Sequence, residues 1–329
     1  MNIEKLIALA RKREITLVLL IILLSGLVRL RAPGFLDGAN ISRIVNDTSI
    51  LIMVSLGQFL VILSGGIDLS VGSIIAFSGM SASMINQYNP SLPVVYVALA
   101  GIVIGLILGA INGLIVAFGK VPPIITTLGT MSVFRGFTFV LSKGQWVTAH
   151  EMTQSYMNIP HGNFLGISNL IWTAIIVCIL MYYFSTYSRT GREVFAIGGN
   201  STAARLVGVS TRKVNMVIFS ISGLLSGIAG VMWTARYAAA VNETATEFEL
   251  QTVAACVLGG VSIAGGAGAI PGVILGALFL GIINNALPVV YLSPFFQMFI
   301  QGFIVLAAML ANTLLEKRQR QVLLNRRCV

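Results

Sequence analysis

The chain has 329 residues, 56% of them hydrophobic and 10% charged, with a formal net charge of +10. A soluble domain carries roughly 25% charged residues, so this composition excludes a water-soluble fold and points to a polytopic membrane protein. The basic excess could suit a nucleic acid, but the Lys and Arg residues cluster near the two ends and in short polar stretches, without interleaved aromatics to stack bases, so no nucleic-acid partner is expected.

A helix needs about 20 mostly apolar residues to cross roughly 30 Å of hydrocarbon, since lipid satisfies no free peptide group. About ten segments read this way, near 15–30, 44–64, 70–87, 93–117, 124–141, 170–187, 214–236, 250–264, 271–290 and 294–315. The fold class predicted is all-α and polytopic, with broken or re-entrant Gly-rich segments. The first apolar run follows Arg11-Lys12-Arg13 and could pass for a signal-peptide core. It continues into Arg29-Leu30-Arg31-Ala32-Pro33 without a small-residue cleavage signal, so an uncleaved span is expected. Pro33-Gly34, Asn89-Pro90 with Pro93, Pro122-Pro123, Gly265-Gly266 and Ser293-Pro294 each place Gly or Pro where a helix should stop. The organisation expected is an N-terminal cytoplasmic segment 1–14, one transmembrane domain 15–315 and a basic cytoplasmic tail 316–329.

An even number of spans puts both termini on one side. The tail carries Lys317, Arg318, Arg320, Arg326 and Arg327 against Glu316, and the polar stretch 189–213 carries five basic residues against one acidic, a balance of +4. The excess of Lys and Arg in cytoplasmic loops places both inside. Arg29, Arg31 and Arg43 then fall on the outer side against the rule, partly offset by Asp37 and Asp47. Residues 142–169, with His150, Glu151 and His161, and the acidic stretch at Glu243, Glu247 and Glu249 also face outward.

Within the apolar sequence, Gly65-Gly66-Ile67-Asp68-Leu69-Ser70-Val71-Gly72-Ser73 brings glycines, a carboxylate and hydroxyls together. Two readings are open: a broken helix lining a translocation path or gate, or a tight loop in which Asp68 or Ser70 caps the next helix. Val61–Gly66 (VILSGG) resembles Cys256–Gly260 (CVLGG), a faint hint of internal duplication. Arg135 lies in an apolar span and needs a carboxylate or carbonyl partner unless it reaches an interface. Gln58, Asn112, Asn284, Asn285 and Gln297 either line a path for a hydroxyl-rich solute or hydrogen-bond helix to helix.

In the basic stretch, Asn200, Ser201 and Thr202 precede Ala203-Ala204-Arg205-Leu206-Val207, which reads as a short capped helix closed by Gly208. A small-faced helix with an arginine suits insertion into a cleft on a partner; the alternative is an ordinary basic loop. The run Gly259–Gly268 is rich in glycine but has neither the GxxxxGK[ST] nor the GxGxxG pattern of a nucleotide loop. Catalytic patterns such as HExxH and GxSxG are also missing, and Cys178, Cys256 and Cys328 have no metal-type spacing. No catalytic, cofactor or metal site is therefore expected in this chain.

With GGIDLSVGS, TLGTMSVFRG, GREVFAIGGNSTAARLVGVS and AACVLGGVSIAGG in order, the chain resembles the ribose, arabinose and galactose class of ABC-importer permeases over residues 44–315. Autoinducer-2 importer permeases belong to the same group. The resemblance implies a bacterial inner-membrane core of two permease copies, identical or related, bedded in membrane lipid. It also implies a cytosolic ABC ATPase subunit that binds ATP and Mg, and a periplasmic sugar-binding protein. Asn200, Thr202, Ala203, Ala204, Arg205 and Gly208 would form the coupling helix, and Gly65, Gly66, Asp68, Ser70, Arg135, Asn284 and Asn285 the path or gate. Two departures stand out: the wider importer motif begins with Glu where this chain has Thr202, and its later Ile-x-Leu-Pro part is absent. An alternative is a stand-alone secondary transporter or channel with Asp68 as the ion-coupled site.

Overall fold

The computed structural model describes residues 13–290, 292–293, 295–304, 306–307 and 310. The tail 316–329 and most of the segment 1–14 lie outside the described residues. Twelve helices dominate the described residues: α1 (Arg13–Arg31), α2 (Gly38–Leu63), α3 (Val71–Tyr88), α4 (Val94–Gly119), α5 (Pro123–Ser142), α6 (Gln154–His161), α7 (Asn169–Tyr187), α8 (Arg189–Leu206), α9 (Thr211–Tyr237), α10 (Phe248–Leu258), α11 (Ile270–Val289) and α12 (Phe295–Ile304). The all-α polytopic class therefore stands, but the expected count of about ten spans does not. Among the described residues six helices, α2, α4, α5, α7, α9 and α11, are long and apolar enough to cross a membrane.

The shortfall has physical causes. α1 carries Glu14 in its first turn and Arg29 and Arg31 in its last. α3 is 18 residues long and holds Ser73, Ser78, Ser81, Ser83 and Asn86, all buried. The run 250–264 forms only the 11-residue α10, because the chain turns at Gly259-Gly260. Of 294–315 the described helix is α12 alone, and much of the remainder lies outside the described residues.

Burial ranks the helices. α2 buries 83% of its most apolar window, whereas α4, α5 and α7 bury 28% each. α2 is thus the central post, enclosed by neighbours over most of its length, while the other three keep a broad apolar face outward, as lipid requires. α9, α11, α7 and α10 pack around α2, and α9 has its most extensive contact with α4. That contact runs along small residues. Gly101, Gly105, Gly109 and Gly113 repeat every fourth residue on α4, and a Cβ at Gly109 would come 2.7 Å from Gly223 Cα on α9. Without a hydrophobic drive between helices in lipid, such backbone approach supplies the dispersion contacts that hold the pair.

At one end of the bundle residues 142–169 form a folded cap. Strand β1 (Val147–Thr148) pairs antiparallel with β4 (Ala239–Ala240) beyond α9, and β2 (Asn163–Phe164) forms a hairpin with β3 (Ile167–Ser168). Buried Tyr156 on α6 shares a 2.7 Å hydrogen bond with Thr234 of α9. Asn86 pairs reciprocally with Thr153, donating to its hydroxyl at 2.9 Å and accepting its N–H at 2.8 Å. α8 lies at the other end, against the C-terminus of α2.

The resemblance between VILSGG and CVLGG is realised as one local shape. Gly65 and Gly260 both have φ +86 and close their helices in the same way. In the first, Gly65 N–H donates to Ile62 O and Gly66 N–H to Val61 O; in the second, Gly260 N–H donates to Val257 O and Val261 N–H to Cys256 O. This is the Schellman closure, which needs a left-handed residue and therefore favours glycine.

Gly109→Val should drive a branched side chain into the α9 backbone and cost about 1–3 kcal/mol or more. It should appear as a lower thermal unfolding midpoint in detergent, which Gly129→Ala, with open space around its Cα, should not share.

Candidate functional site

The polar stretch 189–213, expected as a loop around one short helix, is mostly helical. Ser188 caps α8 by accepting the Gly191 N–H at 2.8 Å, and the helix breaks only at Asn200, where φ is −158° and ψ 100°. The break makes Asn200 the cap of a new short helix: its Oδ1 accepts the N–H groups of Thr202 (3.1 Å) and Ala203 (3.0 Å). Gly208, at φ +86, closes that helix as Gly208 N–H donates to Arg205 O and Val209 N–H to Ala204 O. The capped segment expected from the sequence is thus present. Ala204 faces inward, whereas Leu206 and Val207 are 85% and 80% exposed. Arg205 Nε donates back to Ser201 O at 3.2 Å, holding the guanidinium along the helix. Large exposed apolar side chains next to a cation are what a docking element would present to a partner.

A glycine junction, not anticipated from the sequence, ties this helix to the bundle. Just before the break, Gly198 and Gly199 lie between the turn that ends α2 and the turn that precedes α11. Gly266 N–H donates to Leu63 O at 2.8 Å. A Cβ at Gly198 would sit on that Leu63 carbonyl, one at Gly265 would come 2.9 Å from Gly65 N and 3.1 Å from Gly198 Cα, and one at Gly266 would lie 2.6 Å from Gly199 N. Three of the four Gly-Gly pairs in the chain, 65-66, 198-199 and 265-266, meet here. The available signal was the repetition of the pair itself.

Gly65 and Gly66 therefore belong to the junction, and the following Asp68 and Ser70 are enclosed. Both are fully buried. Asp68 Oδ1 accepts from the Ser70 N–H (3.0 Å) and the Ser70 hydroxyl (2.6 Å), while Oδ2 accepts from the Ser222 hydroxyl of α9 (2.9 Å). Asn112 of α4 donates to Ser70 Oγ at 2.7 Å. Thr127 of α5 accepts the Leu69 N–H at 3.0 Å and donates to Ile67 O at 3.1 Å. Gln58 of α2, with its amide turned to match donor to acceptor, donates to Asp68 O (3.0 Å) and accepts the Asp68 N–H (3.2 Å). The irregular segment between α2 and α3 is thus held by side chains from α2, α4, α5 and α9. Ser70 precedes α3 without making a side-chain cap bond. Gln58 and Asn112 serve as links between elements.

Arg135 of α5 uses carbonyl partners. Its Nη1 donates to Asn242 O (2.9 Å) and Thr244 O (2.7 Å), and Ser142 donates to Asn242 Oδ1 at 2.7 Å. It fastens the segment between β4 and α10 to α5.

Asn284 and Asn285 are placed apart from these clusters, on a half-open cavity of about 440 Å³ between α2, α9, α10 and α11, toward the end of the bundle opposite α8. Asn284 donates to Gln251 Oε1 at 3.2 Å and accepts from Gln301 at 3.0 Å, and Asn285 Oδ1 accepts from Asn40 at 3.4 Å. Trp233, Tyr237 and Phe248 form an aromatic wall, with the Trp233 and Phe248 rings edge-to-face at 5.2 Å between centroids. Asp47 at the cavity is paired with Arg236. The sequence reading had the two asparagines but not the aromatic wall, whose members come from separate elements.

Removing the Asp68 carboxylate by Asp68→Ala leaves Ser222 and Ser70 without their acceptor inside the bundle, at a cost of about 2 kcal/mol or more. Membrane abundance and thermal stability should fall together with transport. Full abundance with transport lost would overturn the structural role given to Asp68.

Residues 40–309 match the family described as branched-chain amino acid transport system / permease component. The chain is 38% identical over 298 residues, 90% of its length and 91% of the relative's, to the ribose import permease protein RbsC of Haemophilus influenzae. It is similar to the autoinducer 2 import system permease protein LsrC of Shigella flexneri, at 36% over 302 residues, 90% of this chain and 86% of the relative. The D-allose transport system permease protein AlsC of Escherichia coli is 34% identical over 304 residues, 92% of each chain. No solved structure matches the chain.

Proposed function

The chain belongs to this permease family, in its ribose, autoinducer-2 and allose importer class, and from that premise we propose that it carries a monosaccharide inward across the bacterial inner membrane as one subunit of a binding-protein-dependent ABC importer. The observation that carries the coupling part of the reading is the capped helix at 201–206, with Leu206 and Val207 exposed and its root locked in the glycine junction. ATP, with Mg, is bound and hydrolysed by a cytosolic ATPase partner, which grips this helix. A periplasmic binding protein delivers the sugar to the opposite end, and a second permease copy completes the core. The α8 end of the bundle faces the cytoplasm in this arrangement.

The mechanism follows from rigidity. When the ATPase subunits close, the short helix is displaced, and the junction passes the displacement to the turns that end α2 and precede α11. Backbone packed on backbone has no side chain to yield, so motion at Gly198 and Gly199 reaches Leu63 and Gly266 with little loss. α2 and α11 both border the cavity at their far ends, and a tilt of one against the other changes access to it, a rigid-body transition. An ion-driven carrier built on Asp68 has little support, because that carboxylate is fully buried and both its oxygens accept from serines, Ser70 and Ser222.

Arg205→Glu and Leu206→Glu, singly, should lower co-purification of the ATPase by about tenfold or more while the permease itself still elutes as a monodisperse species. Undiminished association for both would remove the helix from the contact.

A further inference from the structure

We propose that the permease has its own binding site for a neutral monosaccharide in the cavity between α2, α9, α10 and α11, and that this site contributes to the choice of sugar. The inference rests on the importer reading and deepens it: the cavity becomes a point of recognition as well as a passage. Its volume of about 440 Å³ falls in the range of small-molecule sites, roughly 300–1,000 Å³.

The lining combines groups that suit a polyol with groups that suit its C–H face. A sugar hydroxyl both donates and accepts, and burying it without a partner costs about 2–7 kcal/mol. Side-chain amides also both donate and accept, and Asn40, Gln251, Asn284 and Asn285 line this one cavity. Among the described residues, Asn285 Nδ2, Gln251 Nε2 and the Arg43 guanidinium donate to nothing, so donors are available for a ligand. Asn284, with both amide atoms engaged, holds Gln251 in position. Trp233 and Phe248 line the same cavity, and an aromatic face such as that of the half-buried Trp233 suits the apolar C–H patches of a pyranose or furanose ring. Gly281 on the cavity wall lies against Thr48 of α2, where a Cβ would meet the threonine hydroxyl, so α2 and α11 approach closely there.

Charge argues against a ligand that carries an ammonium group. The one carboxylate among the lining residues, Asp47, is taken up by Arg236 through Nε at 3.2 Å and through Nη2, and Arg43, unpaired among the described residues, adds positive charge. An amino acid, the substrate for which the family is described, needs a free carboxylate for its ammonium group. The paired Asp47 is a poor candidate for that role.

The test uses the assembled permease and ATPase complex in lipid nanodiscs, with Trp146→Phe and Trp172→Phe leaving Trp233 as the sole tryptophan of the permease and the ATPase made tryptophan-free. Uptake by wild-type vesicles with the binding protein first identifies which of D-ribose, L-arabinose, D-allose, D-galactose and L-fucose is transported. If none enters in an ATP-dependent way, the importer reading itself falls. The transported sugar, added without binding protein, should change Trp233 emission saturably, L-leucine should not, and Asn285→Ala should raise the half-saturating concentration by about fivefold, the loss of one hydrogen bond. In vesicles the same variant should shift the order of preference among the sugars while ATP hydrolysis persists. No saturable response to a sugar that is transported, or a response to leucine alone, would overturn the site and leave the importer reading standing. An Asn285→Gln variant, which keeps an amide donor, should restore part of the response, and that rescue separates loss of contact from loss of structure.

Discussion

A helix broken inside a membrane protein must find protein partners for every peptide group it frees, because hydrocarbon offers none. The break between α2 and α3 meets this requirement at Ile67, Asp68, Leu69 and Ser70, whose backbone or side-chain groups are bonded by Gln58, Asn112, Thr127 and Ser222. Because those partners come from α2, α4, α5 and α9, one irregular turn fixes the relative positions of four helices. A carboxylate at the centre lets one side chain accept three hydrogen bonds, which a neutral hydroxyl does less well.

The same break positions the coupling end. Ending α2 with a left-handed glycine turns the chain sharply and exposes the Leu63 carbonyl to Gly266 and Gly198. α8 reaches that carbonyl only because residue 198 has no side chain. Its own break at Asn200 then sends the short helix outward, where Leu206 and Val207 are left for a partner. The short helix proposed for coupling and the proposed sugar site therefore both adjoin α2 and α11, although they lie at opposite ends of the bundle.

Local chemistry was legible in the sequence where it is set by neighbours along the chain. The capped helix after Asn200, the Gly208 closure and the stops at Pro33, Asn89-Pro90 and Pro122 follow from short-range rules, and the carbonyl partners of Arg135 are one of the options its apolar span left open; the stop expected at Gly265-Gly266 comes earlier, at Gly259-Gly260. The span count was less legible, because an apolar run shows hydropathy but not where a serine-rich helix such as α3 is covered by neighbours. The enclosure of Asp68 was also hidden: its partners are Ser222, 154 positions away, and, through Ser70, Asn112. Nor could the aromatic wall be read in advance, since Trp233 and Phe248 become neighbours only when α9 and α10 fold against each other.

The most direct test of the account is the ratio of sugar transported to ATP hydrolysed in proteoliposomes containing the complete importer, compared between wild type and Gly198→Ala in complexes that still assemble. A methyl group at this position presses on the Leu63 carbonyl and separates the coupling helix from the α2 turn. The account requires hydrolysis to continue while the ratio falls about tenfold. An unchanged ratio in an assembled complex would contradict the claim that the glycine junction transmits the stroke.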